Sequence, residues 1–437
     1  MTIRVLSPVM GICLMAAASL PAAAQDQDIA RFRIPDGAKP DPEIGITLPP
    51  GFTATIFHEG VGPARHLAVS PSGDLYVKLR KVADGGGIVA LRDTDGDGRA
   101  DEEERFGDFG GTAIMFHDGA LYAASDVAVF RYQMDGYGLA PAGEPEVIVE
   151  GFPEQKSHAA KAIAFDDEGN LYVAVGAPSN ACQEPDRKKG VKGQNPCPDL
   201  ERQAGVWRYD ANKTGQKASR EGRFATGLRH IVGMAWNGEA NALFAAVHGR
   251  DQLDSLWPEH FTAEQNAELP AEEFVRIAEG DDFGWPYAYY DPKQKARMIA
   301  PEYGGDGKTP AEKGKYRDPV LTFPAHWAPN ALLFYTGQQF PAAFRHGAFV
   351  AFHGSWNRSP QPQGGYNVVF VPFKDGAPTG EWQVFAERFA GAEKLNSSAD
   401  ARYRPVGLAQ GLDGSLYIAE SITGRIWKVT YGGQADR

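Results

Sequence analysis

The sequence predicts an all-β fold: a six-bladed β-propeller of four-stranded antiparallel blades, with a long insert between blades four and five. Three observations predict it. A strand–turn–strand unit recurs as SPSGDLYVKL, FHDGALYAAS, DDEGNLYVAV and GLDGSLYIAE, with turns at Gly73, Gly119, Gly169 and Gly414. Further period-2 segments supply a third and a fourth strand for each unit. The segment GFTATIFHEG near the start has the look of an outer strand displaced to the N-terminus. Short alternating runs on either side of a Gly-containing turn read as hairpins, and repeated four-stranded units read as a propeller. A sandwich or an open array would leave strand edges that the displaced strand closes.

The start, MTIRVLSPVMGICLMAAASLPAAAQ, reads as a secretory signal over residues 1–24, cleaved after Ala24, too short to span a membrane. Cys13 leaves with it. No other long apolar run follows, so no stable membrane insertion is expected, and the compartment is periplasmic or secreted. Residues 25–49 are polar and Pro-rich, an extended arm. The propeller domain takes 50–437. A net charge of −12 argues against a nucleic-acid partner.

Blade one starts with HLAVS and LYVKL, adds GIVALRD, and enters LRDTDGDGRADEEERF. Asp93, Asp95, Asp97, Asp101 and Glu104, with Gly98, fall at offsets that suit an EF-hand-like Ca2+ loop, here on a hairpin without helices. A solvated acidic turn is the plain alternative. Blade two adds VAVFRYQ and EVIVEGF, and blade three AGVWRYD and GRFATGL. After the third hairpin, in the exit loop of blade three, Cys182 and Cys197 bracket the polar loop CQEPDRKKGVKGQNPC. In an oxidising compartment they are most simply a disulfide; without His nearby, a metal pair is the weaker reading. Blade four opens with GMAWNGEANALFAAV. The repeat then breaks over 252–330, which holds a partly helical TAEQNAELPAEEFVRIAEG and an aromatic DDFGWPYAYYD, in keeping with a wall over one face. PVLTFPA, LLFYTGQQFPAAFRHGAFVAF, NVVFVPF and WQVFAER lead through blade five, and VGLAQ, LYIAE and GRIWKVT build blade six.

Polar residues recur just ahead of the innermost strands: Arg65-His66, His158 with Lys161, Arg229-His230, and Arg402-Tyr403-Arg404. Two second strands end in HGRD (His248–Asp251) and HGSWNR (His353–Arg358). In a propeller these positions converge at the axis, so they form a cationic funnel in an acidic chain. Planar Arg groups there suit an anionic ligand bearing carboxylates.

At these residues the chain resembles the soluble quinoprotein sugar dehydrogenases, closest to their sorbosone dehydrogenase-like branch. The stretches that carry the resemblance are SHAAKAIAFDDEGNLYVAVG, GLRHIVGMAW, HGRD with FGWPYAY, HGSWNR and RYRPVGLA…DGSLYIAE, spread over most of the mature chain. The resemblance implies pyrroloquinoline quinone (PQQ) and Ca2+ at the axis. It implies His158 as general base and Arg229 over the quinone, and a cofactor shell of Arg229, His230, Arg402, Arg404, Trp356, Asn357 and Arg358. It implies Ca2+ on the backbone carbonyls of Gly249 and Arg250, with Arg65 and Trp327 toward the substrate. The substrate would be an aldose, a sorbosone-like aldehyde or a related alcohol, and the electron acceptor a periplasmic cytochrome or quinone. The sequence departs from the glucose-oxidising branch in three places. Gly176-Ala177 stands where an Asp would orient the base, His230 stands for Asn, and the fifth-blade loop lacks a Lys. Two other readings fit a propeller: a non-catalytic carbohydrate- or partner-binding module, and a Ca2+-dependent lactonase. No Gly-rich strand-to-helix fingerprint for a nicotinamide or flavin is present.

Overall fold

In a computed structural model, which describes residues 29–134 and 138–432, the four repeat glycines at the hairpin turns are all left-handed: Gly73 at φ 98°, Gly119 at 78°, Gly169 at 83° and Gly414 at 82°. Only a residue without Cβ takes that conformation freely, and each turn joins an inner strand to the next strand outward. The inner strands are Ala64–Val69, Ile114–His117, Ile163–Phe165, Ile231–Asn237, Pro329–Tyr335 and Pro405–Gln410, one per blade. Each packs against the next around a closed ring. The expected signal segment lies outside the described residues.

Closure works as the displaced strand predicts. Phe52–His58 pairs antiparallel with Ile426–Tyr431 as the outer strand of blade six. Residues 29–49 lie along blades five and six, with Phe32, Ile34 and Ile46 buried and Thr47 bridged to Glu387.

The core is divided into layers between blades, and the strand period explains how. In the strand Asn170–Val175, Leu171, Val173 and Val175 face blade two, while Tyr172 and Ala174 face blade four. In the strand Ala242–Val247, Leu243, Ala245 and Val247 face blade three, and Phe244 and Ala246 face blade five. Because successive side chains point to opposite faces, a strand that is apolar throughout can feed two layers at once. The Tyr of the repeat buries its ring while its hydroxyl finds an acceptor: Tyr76 donates to the Leu139 carbonyl (2.8 Å) and Tyr122 to that of Ala211 (3.1 Å).

The insert corrects the expected boundary. It lies inside blade four, not between blades four and five. The third strand of that blade is Glu272–Ile277 and the fourth Leu321–Phe323, so the extra chain falls at 248–271 and 278–320. In sequence, EEFVRI reads on from the helical TAEQNAE. In the structure helix α1 (Leu253–Leu256) is followed by α2 (Ala263–Glu268), which starts on a Thr262–Gln265 capping box and ends before Pro270. The insert has its own small core of Leu253, Leu256, Trp257, Phe261, Tyr289 and Met298. It forms a wall beside the axis. No helix among the described residues is long and apolar enough to cross a membrane.

Candidate active site

The register of the ring aims polar side chains at its axis. The inner strands of blades one, four, five and six each begin with an irregularity in pairing, between Ala64 and Leu67, Ile231 and Gly233, Pro329 and Ala331, and Pro405 and Gly407. A bulge re-aims a side chain locally. Arg65, Val232 and Asn330 sit within these irregularities and line an axial cavity of about 350 Å³. His158, Arg229, His230, His248, Asp251, Glu272 and Arg404 complete its polar wall, with Arg80, Lys156 and Trp356.

His158 has the geometry of a base with one nitrogen fixed. Its Nδ1 lies 2.7 Å from the carbonyl oxygen of Ala177. A carbonyl only accepts, so Nδ1 carries the proton and Nε2 keeps its lone pair. The backbone carbonyl thus orients the ring where the glucose-oxidising branch would use an Asp. The residue is left-handed at φ 53°, and Gln155 pins the turn by donating to the carbonyls of His158 and Gly176 (3.0 Å each). Gly176 must be glycine: a Cβ there would lie 2.7 Å from the His158 Cβ and 3.0 Å from Nδ1 of His230. Burial, and then the Arg229 charge, push the His158 pKa down to about 3, so the ring is neutral at physiological pH. Two further imidazoles continue from it. His230 lies 4.6 Å from His158 between ring centres, and His248 4.8 Å from His230. Left-handed φ recurs beside the cavity at His326 (65°) and Ala328 (60°). Such strain persists where surrounding structure enforces it and gathers at functional sites.

Asp251 organises the opposite wall. Its Oδ2 accepts from Arg229 and from Arg187, both at 2.9 Å, and its Oδ1 accepts from the Asn357 amide at 2.9 Å. Burial would raise its pKa, but the Arg229 and Arg187 guanidinium groups hold the carboxyl well below the usual range. Arg229 also donates to Asn180 Oδ1 (3.0 Å), to the Asn180 carbonyl (3.3 Å) and to the Gly249 carbonyl (2.8 Å). Four of its five N–H groups are therefore used and one on Nη1 is spare. Glu272 accepts from the Gly249 and Ala328 N–H groups (2.7 and 3.0 Å), and its burial lifts its pKa to about 7. Asp251, Glu272 and Asn180 carry no repeat signature of their own. Only their meeting with Arg229 in space marks them, although Asp251 closes the HGRD stretch.

The other predicted residues divide. Arg404 faces the cavity and donates to the carbonyls of His353 (2.9 Å) and Gly354 (2.7 Å). Arg402 is exposed on the far side of Tyr403, stacked on its ring, and does not reach the cavity. Trp356 is 55% exposed at the cavity mouth. Arg358 turns away and ties the fifth-blade loop to the carbonyls of Ala267 (2.7 Å) and Ala325 (2.9 Å). Trp327 packs against Phe352 and Trp382 in the layer between blades four and five, away from the cavity lining. The Arg250 side chain is buried in an ion pair with Glu302. Cys182 and Cys197 form a disulfide.

In the acidic loop Asp93, Asp95 and Asp101 gather, but Glu104 lies in the strand Glu102–Phe106 opposite Ala90, and Asp97 accepts from the Arg99 N–H (2.8 Å). Asp93 satisfies the N–H groups of Gly96 (2.7 Å) and Gly98 (2.9 Å). Of the expected ligand set, Asp93, Asp95 and Asp101 bring carboxylate oxygens within 4.8 Å of one another, while Glu104 stands on the neighbouring ladder.

The cavity is built for an anion. Arg65, Lys156 and Arg404 have no carboxylate partner among the described residues. Burial, with Arg80 and Arg404 close by, lowers the Arg65 pKa to about 10, as expected of crowded cations. Four buried polar atoms of lining residues have no hydrogen-bond partner among the described residues: Arg65 Nε, His230 Nδ1, Asn330 Oδ1 and Asn357 Oδ1. Orphaned groups are rare in folded proteins, and four around one cavity point to a polar ligand.

The fold places the chain in the class of six-bladed propellers that includes several sugar-dehydrogenase structures. It superposes on the PQQ domain of pyranose dehydrogenase from Coprinopsis cinerea (TM-score 0.68, 19% identity, 90% of this chain and 99% of that one). It also superposes on a calcium structure of a Carbohydrate-Active Enzymes Family AA12 protein from Trichoderma reesei (TM-score 0.70, 19% identity, 89% and 97%). A model of the TrAA12-like family matches residues 46–432, and the chain belongs to that family. Among curated relatives, an uncharacterized protein of Borreliella burgdorferi is 28% identical over 305 residues, 69% of this chain and 65% of that protein. A pyrroloquinoline quinone-dependent pyranose dehydrogenase of Coprinopsis cinerea is 32% identical over 167 residues, 33% of this chain and 22% of that protein. The match thus spans less than two thirds of the length of either relative.

Proposed function

We propose that the chain is a quinoprotein dehydrogenase that oxidises a sugar, or a sugar-derived alcohol or aldehyde, with PQQ held in the axial cavity. The observation that carries this is the charge count of the cavity. Three cations without carboxylate partners, Arg65, Lys156 and Arg404, face a space whose expected occupant has three carboxylates. The orphaned Asn330 and Asn357 oxygens and His230 Nδ1 offer further polar partners. The family match and the PQQ-dependent relatives support the same reading.

When bound, PQQ with Ca2+ supplies a polarised quinone carbonyl carbon able to accept hydride. The chain's own residues do the rest. His158 accepts the proton of the substrate hydroxyl, or of an aldehyde hydrate, at Nε2, while Ala177 fixes the proton on Nδ1. The spare N–H of Arg229 stabilises negative charge that develops beside it. For Ca2+ the Gly249 carbonyl keeps a lone pair beyond its bond to Arg229, and the Asp251 carboxylate is two residues on; these would hold the ion. Trp356, exposed at the mouth, offers an indole face to a pyranose ring. The finer assignments belong to the same proposal: a sorbosone-like or aldose substrate, a cytochrome or quinone acceptor, and a periplasmic or secreted location.

The test is reconstitution. Purified protein is titrated with PQQ with and without Ca2+, by absorbance and calorimetry, and dye reduction is then assayed over sugars and aldehydes. Tight Ca2+-dependent binding with turnover is expected. No PQQ binding overturns the proposal and favours a carbohydrate-binding propeller.

A further inference from the structure

His158 and the carbonyl that orients it stand on two separate segments of blade three, and one side chain ties them together. Gln155 Nε2 donates to the carbonyls of Ser157 (2.8 Å), His158 (3.0 Å) and Gly176 (3.0 Å). Gly176 directly precedes Ala177, whose carbonyl holds Nδ1 of His158. The amide therefore clamps the turn that carries the base to the segment that carries its partner. Carbonyls only accept, so the atom facing all three is the NH2 group, and Oε1 points the other way. There it accepts from Gln203 Nε2 at 2.9 Å. The two amides form a pair with a fixed sense: Gln203 donates to Gln155, and Gln155 donates to the three carbonyls.

Gln203 is itself held. Its N–H donates to the Asp199 carbonyl (2.9 Å) in the short helical turn Pro198–Glu201 that follows Cys197. The Asp199 carboxylate accepts from Ser179 Oγ (2.9 Å), which in turn accepts from the Cys182 N–H (2.9 Å). The pair is thus anchored where both ends of the disulfide loop meet. At the other end His158 sits at φ 53°, a conformation that surrounding bonds must enforce in a residue with a Cβ.

We propose that Gln155 and Gln203 are positioning residues for His158, a directed amide pair that keeps its ring on the Ala177 carbonyl. Neither glutamine lines the axial cavity, so both act through the histidine. The inference rests on His158 being the base of the proposed dehydrogenase.

The experiment compares the wild-type chain with Q155M, Q203E and Q203K. Q155M removes the amide at nearly constant length. Q203E can only accept, so it draws the Gln155 NH2 to itself and turns that amide's oxygen toward the three carbonyls. Q203K still donates to Oε1. The full chain is labelled with nitrogen-isotope histidine, and NMR at mildly alkaline pH without PQQ reads the ring tautomer. The His158 signals are identified by their loss in His158→Ala. Wild type and Q203K are expected to show Nδ1–H alone. Q155M and Q203E are expected to mix in the Nε2–H form, which occupies the lone pair that the base uses. Turnover is then measured at saturating PQQ and Ca2+. A misplacement of about 1 Å costs on the order of 10²-fold, so kcat should fall at least about tenfold in Q155M and Q203E, with KM little changed and Q203K close to wild type.

An unchanged His158 tautomer in both Q155M and Q203E overturns the proposal. Equal disturbance in Q203E and Q203K also overturns it, because a merely structural contact has no sense of direction. Should Q155M not fold, the Q203E and Q203K pair decides, since position 203 is half-buried. If the tautomer shifts and turnover does not, His158→Ala separates the readings. Lost turnover in His158→Ala then overturns the positioning role, whereas unchanged turnover there removes His158 as base and leaves the hold on its ring standing. If the chain binds no PQQ, the cofactor reading fails and the tautomer alone decides the role of the two glutamines.

Discussion

At the scale of single residues, His158 is defined by what its two ring nitrogens can do. The Ala177 carbonyl holds Nδ1–H, leaving Nε2 as the only acceptor on the ring. His158→Ala is expected to reduce turnover by 10²–10⁴-fold, the usual worth of a general base, with PQQ affinity unchanged; unchanged turnover removes it from that role. Because its pKa is held down to about 3, the acid limb of the rate profile should show no break between pH 5 and 7 from this residue. The same burial has a stability consequence. His66 and His248 are each lowered to about 4, below the unfolded value of 6.5. As pH falls through 6.5 the unfolded chain gains protons that the folded chain refuses, so stability is lost progressively from there down to about pH 4. Urea midpoints at pH 7 and pH 5 check this, and a higher midpoint at pH 5 contradicts it. Gly176 gives a sharper test. Gly176→Ala places a methyl 2.7 Å from the His158 Cβ, so turnover should fall at least tenfold while the melting transition stays cooperative. Wild-type kinetics in that variant would show that the His158 position has slack.

At the scale of elements, bulges and loops do the aiming. Inner-strand bulges turn Arg65 and Asn330 to the axis, and the disulfide loop with the turn just before it brings Arg187 and Asn180 to Asp251 and Arg229. The cysteines lie 15 residues apart. In the chain-entropy model closing such a loop stabilises the fold by about 3 kcal/mol, so the double variant C182S/C197S should lose about that much in urea unfolding. A loss below about 1 kcal/mol would mean that the loop's hydrogen bonds suffice. The hairpins, the cationic residues ahead of inner strands and the disulfide were legible in sequence, because period-2 patterning, repetition and cysteine pairing are local signals. The position of the insert was not. Its third strand directly follows a helical stretch, and only pairing with the strand Ala242–Val247 identifies it. Arg402 and Arg404 are two apart and look equivalent in RYRP. Strand alternation would put both on one side, but they precede the strand that starts at Pro405, where the period of two does not hold, and only Arg404 reaches the axis.

At the scale of the whole molecule, ring closure holds the site together, since the cavity is lined from all six blades. The closing strand contributes Phe52, buried among Phe340, Phe344, Phe385 and Tyr431. Phe52→Ala should cost about 3–5 kcal/mol, read as a lowered urea midpoint. A loss near zero would mean that residues 29–49 seal blades five and six without it. Blade two, which shows no chemistry in sequence, still supplies Thr112 to the lining and Asp126 to Arg80 (2.9 Å). Every blade is needed because the site belongs to the axis and not to any repeat.

By itself the sequence determined the all-β class, the number of blades, the strand that closes the ring and the cationic character of the axis. Those follow from the period of apolar residues, from turn glycines and from the recurrence of Arg and His at one position of the repeat. Only the tertiary structure decided which of these cations stay unpaired, that a carbonyl orients His158, and that Asp251 is shared by two arginines. These depend on distances between residues far apart in the chain, and a bulge of one residue is enough to turn a side chain into the cavity or out of it.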